Sequence, residues 1–189
     1  MANAPEIVAI ALKVNPDIVC LVPERRQELT TEGGLDVAGN LPSVTETRKK
    51  MNDAGIEVSL FITPDPKQIE AAFKSGSQFI ELHTGAFAES FVNAPESRKE
   101  SVALTSEDRR RLANSLHLNF LVEAAKQAHA LGLRVNAGHG LNYHNLSALH
   151  PVPHLVELNI GHSIVSRALF VGLGAAIKEM LRLMEDYGK

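Results

Sequence analysis

The sequence predicts an α/β protein of the (β/α)8 TIM-barrel type, on three observations. Short apolar runs alternate with helical patterns, the runs are aliphatic on one face and mixed on the other, and polar residues gather at their C-terminal ends. In "EVSLFIT", Val58, Leu60 and Ile62 fall on one side and Glu57, Ser59, Phe61 and Thr63 on the other. "FIELHTG" divides the same way, with Ile80 and Leu82 against Phe79, Glu81 and His83, and so does "LVELNIG", with Val156, Leu158 and Ile160 against Leu155, Glu157 and Asn159. A doubly wound sheet is covered by helices on both faces and needs both apolar. A barrel carries helices only outside and can line its mouth with polar groups.

The elements follow in order. Pro5 to Val14 forms an opening helix, and the first strand is Ile18 to Pro23. A long connection, about 24 to 43, is rich in Gly, Pro and charge, and its Thr30 to Asn40 portion reads as a mobile lid. A helix over Val44 to Ala54 leads to the strand Glu57 to Thr63, and a helix over Lys67 to Ser75 leads to the strand Phe79 to Gly85. A second long connection, about 86 to 105, precedes a helix over Ser106 to Leu131, which Thr105 or Ser106 caps and Glu107 and Asp108 open. Gly55, Gly76 and Gly132 stand where left-handed C-terminal caps are wanted. The strands Leu133 to His139 and Leu155 to Gly161 come last, with a final helix from about Ser163 to Met184.

Five strands in 189 residues fall short of a barrel, which has eight in typically about 250. Residues 1–189 therefore read as a single partial barrel domain with about five of eight strands. The two long connections do not read as strands. The polar "EDYGK" end is a natural finish, so the first three βα units are expected to be the missing ones.

A net charge of −3 and a pI near 6.2 give no basic footprint for nucleic acid, and the clusters at 48–50 and 109–111 read as solvated helix faces. Cys20, the only cysteine, excludes an internal disulfide; within "DIVCLVP" it reads as a small core residue in a reducing cytoplasm. The N-terminal run carries Glu6 where a signal peptide wants positive charge, and no stretch of about 18 apolar residues occurs, so no membrane is expected and a cytoplasmic location is.

Barrel chemistry sits at the C-terminal ends of the strands. Those ends carry Glu24, Glu81 with His83, His139 between two glycines, and Gly161 with His162. Glu81 and His83, two apart on one strand, face the same side, which suits proton transfer but equally a structural ion pair. "AGHG" and "NIGHS" follow the last two strands, where barrels often seat phosphate. The amides of Gly161, His162 and Ser163 would open the last helix, whose dipole favours an anion. His117, His129, His150 and His154 read as surface or packing residues, and no spacing of His, Cys or carboxylates matches a metal motif, so no metal is expected.

The segments "LVPERRQELTTEGGLDVAG", "SLFI", "FIELHTG", "VNAGHGLNYHN" and "ELNIGHSIVSRALFVGL" resemble, in order and across essentially the whole chain, the motifs of the pyridoxine 5'-phosphate synthase family. The resemblance implies a (β/α) barrel enzyme of the cytoplasm, a homo-oligomer that is an octamer in the family, with no metal or organic cofactor. It implies the condensation of 3-amino-2-oxopropyl phosphate with 1-deoxy-D-xylulose 5-phosphate to pyridoxine 5'-phosphate, phosphate and water. It further implies His139 as proton donor and Glu81 as stabiliser of the transition state. Gly140, Gly161 and His162 would contact the aminoketone phosphate, and Thr30 the deoxyxylulose phosphate. The family's Asn-x-Asp-His and His-x-Arg segments, and a catalytic glutamate that would directly precede Met1, have no counterpart here, so N-terminal truncation and little or no activity of this polypeptide alone are expected. Alternatives are a non-catalytic truncated barrel that folds on a partner, or another phosphate-binding barrel enzyme.

Overall fold

Five parallel strands form one sheet whose spatial order follows the chain, β1 to β5, without reversal. The computed structural model describes residues 1–24, 28, 30, 33–93, 116–185 and 187. The elements are α1 (Pro5–Val14), β1 (Ile18–Leu21), α2 (Leu41–Asp53), β2 (Glu57–Ile62), α3 (Pro66–Ser75) and β3 (Phe79–His83). They continue with α4 (Gly85–Asn93), α5 (Leu116–Ala130), β4 (Arg134–Gly138), a 3-10 turn (Leu146–Leu149), β5 (Leu155–Asn159), α6 (His162–Val171) and α7 (Leu173–Met184). Crossovers between parallel neighbours are right-handed in about 98% of cases. In a sheet that never reverses its order, every crossover helix then falls on the same side. This is an α/β fold compatible with a barrel of the TIM type.

The covered side holds the core. Val58, Leu60, Ile62, Ile80, Leu82 and Val135 are fully buried there, in one cluster with Val44 and Met51 of α2, Ile69 and Ala72 of α3, and Leu118, Leu121 and Ala125 of α5. The opposite side carries Ser59, Glu81 and Asn136 at mid-height. At its lower end the Arg134 guanidinium pairs with Glu57 and lies 3.6 Å over the Phe79 ring.

All five expected strands form, each ending one or two residues early because its last residues belong to the turn above. Gly55, Gly76 and Gly132 adopt φ of 80°, 80° and 85°, the left-handed region their positions demanded. The expected long final helix is two helices: Gly172, at φ 82° and ψ 151°, leaves helical geometry and separates α6 from α7. Helix α4 falls in a stretch read as a connection, since the strand reading had run on to Gly85, its first residue; buried Phe87 packs it onto the core. Of the expected helix over 106–131 the described part begins at Leu116, and its proposed cap at 105 and 106 lies outside the described residues.

The stretch from Gly33 to Asn40, read as part of a mobile lid, is fastened to the sheet. The Leu35 amide donates to the Phe61 carbonyl (2.8 Å), the Val37 and Ala38 amides donate to Gln68 Oε1 (2.8 and 3.1 Å), and both Leu35 and Val37 are buried.

Among the described residues both outer strands have one neighbouring strand. Along β1 the free edge is met by Met1, whose amino group donates to the Cys20 carbonyl and whose carbonyl accepts from the Val22 amide. Near β5 the surface is apolar: Val156, Val165, Leu169 and Phe170 are 64%, 60%, 83% and 86% exposed. No helix among the described residues is long and apolar enough to cross a membrane.

Two alanine substitutions separate the covered side from this outer surface. Ile80→Ala, in the middle of the sheet, should cost about 2–5 kcal/mol of unfolding free energy, whereas Leu169→Ala should stay within about 0.5 kcal/mol. Urea unfolding followed by circular dichroism would show both, and equal costs would place the core wrongly.

Candidate active-site cleft

The parallel register stacks the polar residues of the uncovered face. Glu81 stands opposite Phe61 on β2 and Asn136 on β4, Cys20 opposite Ser59, and His83 opposite Gly138. They line one side of an open cleft of about 1150 Å³, and Gly140, Gly161, His162 and Ser163 line its upper rim.

Glu81 is the deepest acid. Gly138 makes room for it, because a side chain there would collide with Glu81 Oε1. Burial pushes the Glu81 carboxyl above the usual carboxylate range, against the opposing effect of hydrogen bonds from Cys20 and Asn159. The Cys20 thiol donates to Glu81 Oε2 at 3.5 Å. Burial first, and then the charge of Glu81, push that thiol up to about 12. Cys20 is thus not the core residue the sequence suggested: the inner phase of β1 turns it into the cleft. Next to Glu81, the Asn136 side-chain oxygen is buried without a hydrogen-bond partner among the described residues.

One level higher the imidazoles meet. His83 and His139 stack with ring centroids 4.7 Å apart and planes 28° apart, and Phe61 presents its edge to His83 at 5.0 Å. Burial, and then the neighbouring His139, lower His83 to about 4, so it is neutral at physiological pH. His139 has φ 82°, a conformation uncommon for a residue with a side chain and one that surrounding structure must enforce. Thr84 enforces it: its hydroxyl lies 2.7 Å from the Gly138 carbonyl and 2.6 Å from that of His139, and its amide donates to Gly138 at 2.8 Å.

The rim is built by two turns. Gly140, at φ 82°, follows His139 directly, and Gly161 is the N-cap of α6, so the start of that helix, whose first amides have no partner within it, stands at the cleft. The Ser163 hydroxyl donates to the Leu141 carbonyl at 3.0 Å and ties the two turns together.

Of the residues singled out from the sequence, Glu81, His139, Gly140, Gly161 and His162 share this cleft, and Thr30 does not line it. The Thr30 side chain instead accepts from the Gly34 amide at 3.2 Å, shaping the turn that brings Gly33 to the cleft. Glu24 is exposed and outside. Glu81 and His83 face the same side as expected, but Glu81 is held by a thiol and an amide rather than by an ion pair. His129 and His154 stack on each other at 3.8 Å, and His150 lies 3.2 Å from the Leu183 carbonyl. Among the described residues no group of three or more His, Cys, Asp or Glu could hold a metal. Sequence reasoning missed Asn136, Asn159 and Cys20; extending the two-residue phase of Glu81 to every strand would have found them.

Comparison with known proteins converges on one family. The family model described as pyridoxal phosphate biosynthesis protein PdxJ matches residues 1–186. Pyridoxine 5'-phosphate synthase of Idiomarina loihiensis is 47% identical over 185 residues, 98% of this chain and 69% of the relative. That of Photobacterium profundum is 49% identical over 186 residues, again 98% and 69%. A solved chain from the Amycolatopsis orientalis BexX/CysO complex superposes with a TM-score of 0.52 at 16% identity, covering 96% of this chain and 62% of that one; it shares the fold alone.

Two outcomes follow from this geometry. Thr84→Val, which strips two carbonyls of their hydroxyl partner, should cost about 1–3 kcal/mol in thermal or urea unfolding; no loss would mean the turn holds itself. His83, lowered to about 4 in the folded chain against about 6.5 unfolded, takes up its proton later than the unfolded chain does. Wild type should therefore lose stability relative to His83→Phe as pH falls from about 6.5 to about 4. Parallel stability curves for the two proteins across that window would contradict the burial argument.

Proposed function

The chain belongs to the PdxJ family of pyridoxal phosphate biosynthesis proteins, and from that premise we propose that its cleft serves pyridoxine 5'-phosphate synthesis. The reaction is the condensation of 3-amino-2-oxopropyl phosphate with 1-deoxy-D-xylulose 5-phosphate, giving pyridoxine 5'-phosphate, phosphate and water. One observation carries the reading: a buried carboxyl, a histidine held in a strained turn and two amide-lined turns face a single cleft in a chain 47–49% identical to enzymes named for this activity. Ring closure moves protons between carbon, nitrogen and oxygen. A positioned acid or base typically contributes about 10² to 10⁴ to such a step.

In this reading His139 donates the proton, and Glu81, which burial keeps protonated to higher pH than an ordinary carboxyl, stabilises the developing transition state. The amides of Gly140, Gly161 and His162 receive the aminoketone phosphate at the start of α6. Among the described residues no lysine or arginine lines the cleft, so backbone donors and the helix dipole are what the rim offers an anion. Thr30 would reach the deoxyxylulose phosphate only if its turn shifts toward the cleft. No metal and no organic cofactor enters the scheme.

The five strands are read as consecutive members of an eight-stranded barrel, with residues 1–189 a single partial domain. The strand order, the single neighbours of β1 and β5 and the apolar surface beside β5 support this. A cytoplasmic homo-oligomer accords with the family. Residues 1–189 hold no counterpart of the family's Asn-x-Asp-His and His-x-Arg segments. We therefore expect this polypeptide alone to bind phosphorylated substrate but to turn it over poorly. The apolar surface beside β5 also admits a second reading, a non-catalytic chain that folds on a partner.

The test has two parts. Titration of ¹⁵N-labelled chain with 1-deoxy-D-xylulose 5-phosphate and with inorganic phosphate should shift the amide signals of Gly140, Gly161 and His162, and unmoved signals would remove the anion site. Phosphate release from the two substrates together should be at or near background for the 189-residue chain; turnover at the level of its relatives would refute the expectation of poor activity.

A further inference from the structure

Besides Glu81, the uncovered face of β3 points a second titratable group into the cleft, His83, to which the proposed chemistry gives no role. Its surroundings are built around its ring. Two residues along β3 from Glu81 and paired with Gly138, it lies directly under the turn that carries His139. Phe61 meets one part of it edge-on at 5.0 Å and the His139 ring lies face-on at 4.7 Å. Backbone closes the remaining side: a methyl group on Gly85 would sit 2.5 Å from His83 Cε1 and 3.3 Å from His139 Cδ2, and one on Gly33 would lie 3.7 Å from the His83 ring. Gly85 thus closes a slot on one side of the His83 ring, while His139 itself remains exposed.

His139 depends on that slot more than an ordinary active-site histidine would. Thr84 fixes its backbone, but among the described residues its ring nitrogens have no hydrogen-bond partner, and its ring contacts are with His83 and Phe61. A histidine that must deliver a proton in one direction is usually aimed by a hydrogen bond at its second nitrogen. Here the described residues offer a stacked ring instead.

Resting on the reading of the cleft given above, we propose that His83 is a positioning residue, whose ring, wedged between Phe61 and the Gly85 backbone, aims the His139 imidazole into the cleft by stacking. Stacking of this kind requires a flat ring. His83 supplies one, and burial holds it neutral down to about pH 4. Two imidazolium rings at this separation would repel each other, so a neutral partner lets His139 carry the charge alone.

The test reads ring orientation separately from turnover. In a ¹H–¹³C spectrum of histidine-labelled chain, the His139 Cε1–H and Cδ2–H signals should carry the ring-current displacement of a stacked neighbour. His83→Leu, of similar volume but without a π face, should return those signals toward ordinary histidine positions. His83→Phe, which restores the flat ring, should hold them near the wild-type values, and Gly85→Ala should displace them by pushing into the slot. Unchanged His139 signals in His83→Leu would overturn the proposal, whether or not the chain turns over. Placed in a catalytically complete relative, the leucine change should lower kcat about tenfold or more, leave KM for both phosphates within about twofold, and be largely rescued by phenylalanine. A change confined to KM would also overturn it. A wild-type chain with a displaced His139 signal but no phosphate binding would count against the proposed function alone.

Discussion

The cleft depends on the parallel register between β3 and β4. That ladder sets Glu81 opposite Asn136 and His83 opposite Gly138, so the carboxyl and the lower imidazole each face a small or unpaired neighbour. Where the ladder ends, Thr84 extends the same pairing through its side chain, binding the carbonyls of Gly138 and His139. The positive φ of His139 and the approach of Gly140 to the rim follow from that fastening. A slip of one residue would turn Glu81 into the aliphatic side and Leu82 into the cleft. The fully buried residues of the covered face make such a slip prohibitive.

Burial is the common cause of the cleft's electrostatics. It raises Glu81, raises Cys20 and lowers His83, in each case favouring the uncharged form. Glu157 also lines the cleft and acts on Glu81 through its charge, while α6 begins at the rim. An anionic substrate entering this space would meet the start of α6 above and, below, a wall whose buried groups are biased toward their uncharged forms.

Much of this was legible in the sequence. The aliphatic phase of "EVSLFIT" and "FIELHTG" excluded a sheet covered on both faces, and the uninterrupted strand order agrees with that reading. Glu81, His139 and the two glycine turns were found because strand ends and glycines are local signals. Thr30 was not separable in this way: its hydroxyl binds within its own turn, and only tertiary geometry shows that Gly33, not Thr30, reaches the cleft. Cys20 was misread because an apolar run of six residues does not reveal which of its two faces looks inward. Gly172 was overlooked because glycine within a helical pattern is tolerated often enough that the break becomes visible only in the backbone angles.

The Cys20 thiol carries a practical consequence. A sulfur whose proton is held to about pH 12 presents almost no thiolate at neutral pH, and the thiolate is the form that attacks electrophiles. As the only cysteine of the chain, it leaves the molecule nearly silent toward alkylating reagents while the sheet is intact. A cysteine placed on any exposed helix can therefore be tagged selectively without first removing the native one. Conversely, the rate at which Cys20 itself becomes labelled is a clock for the opening of β1 away from Glu81.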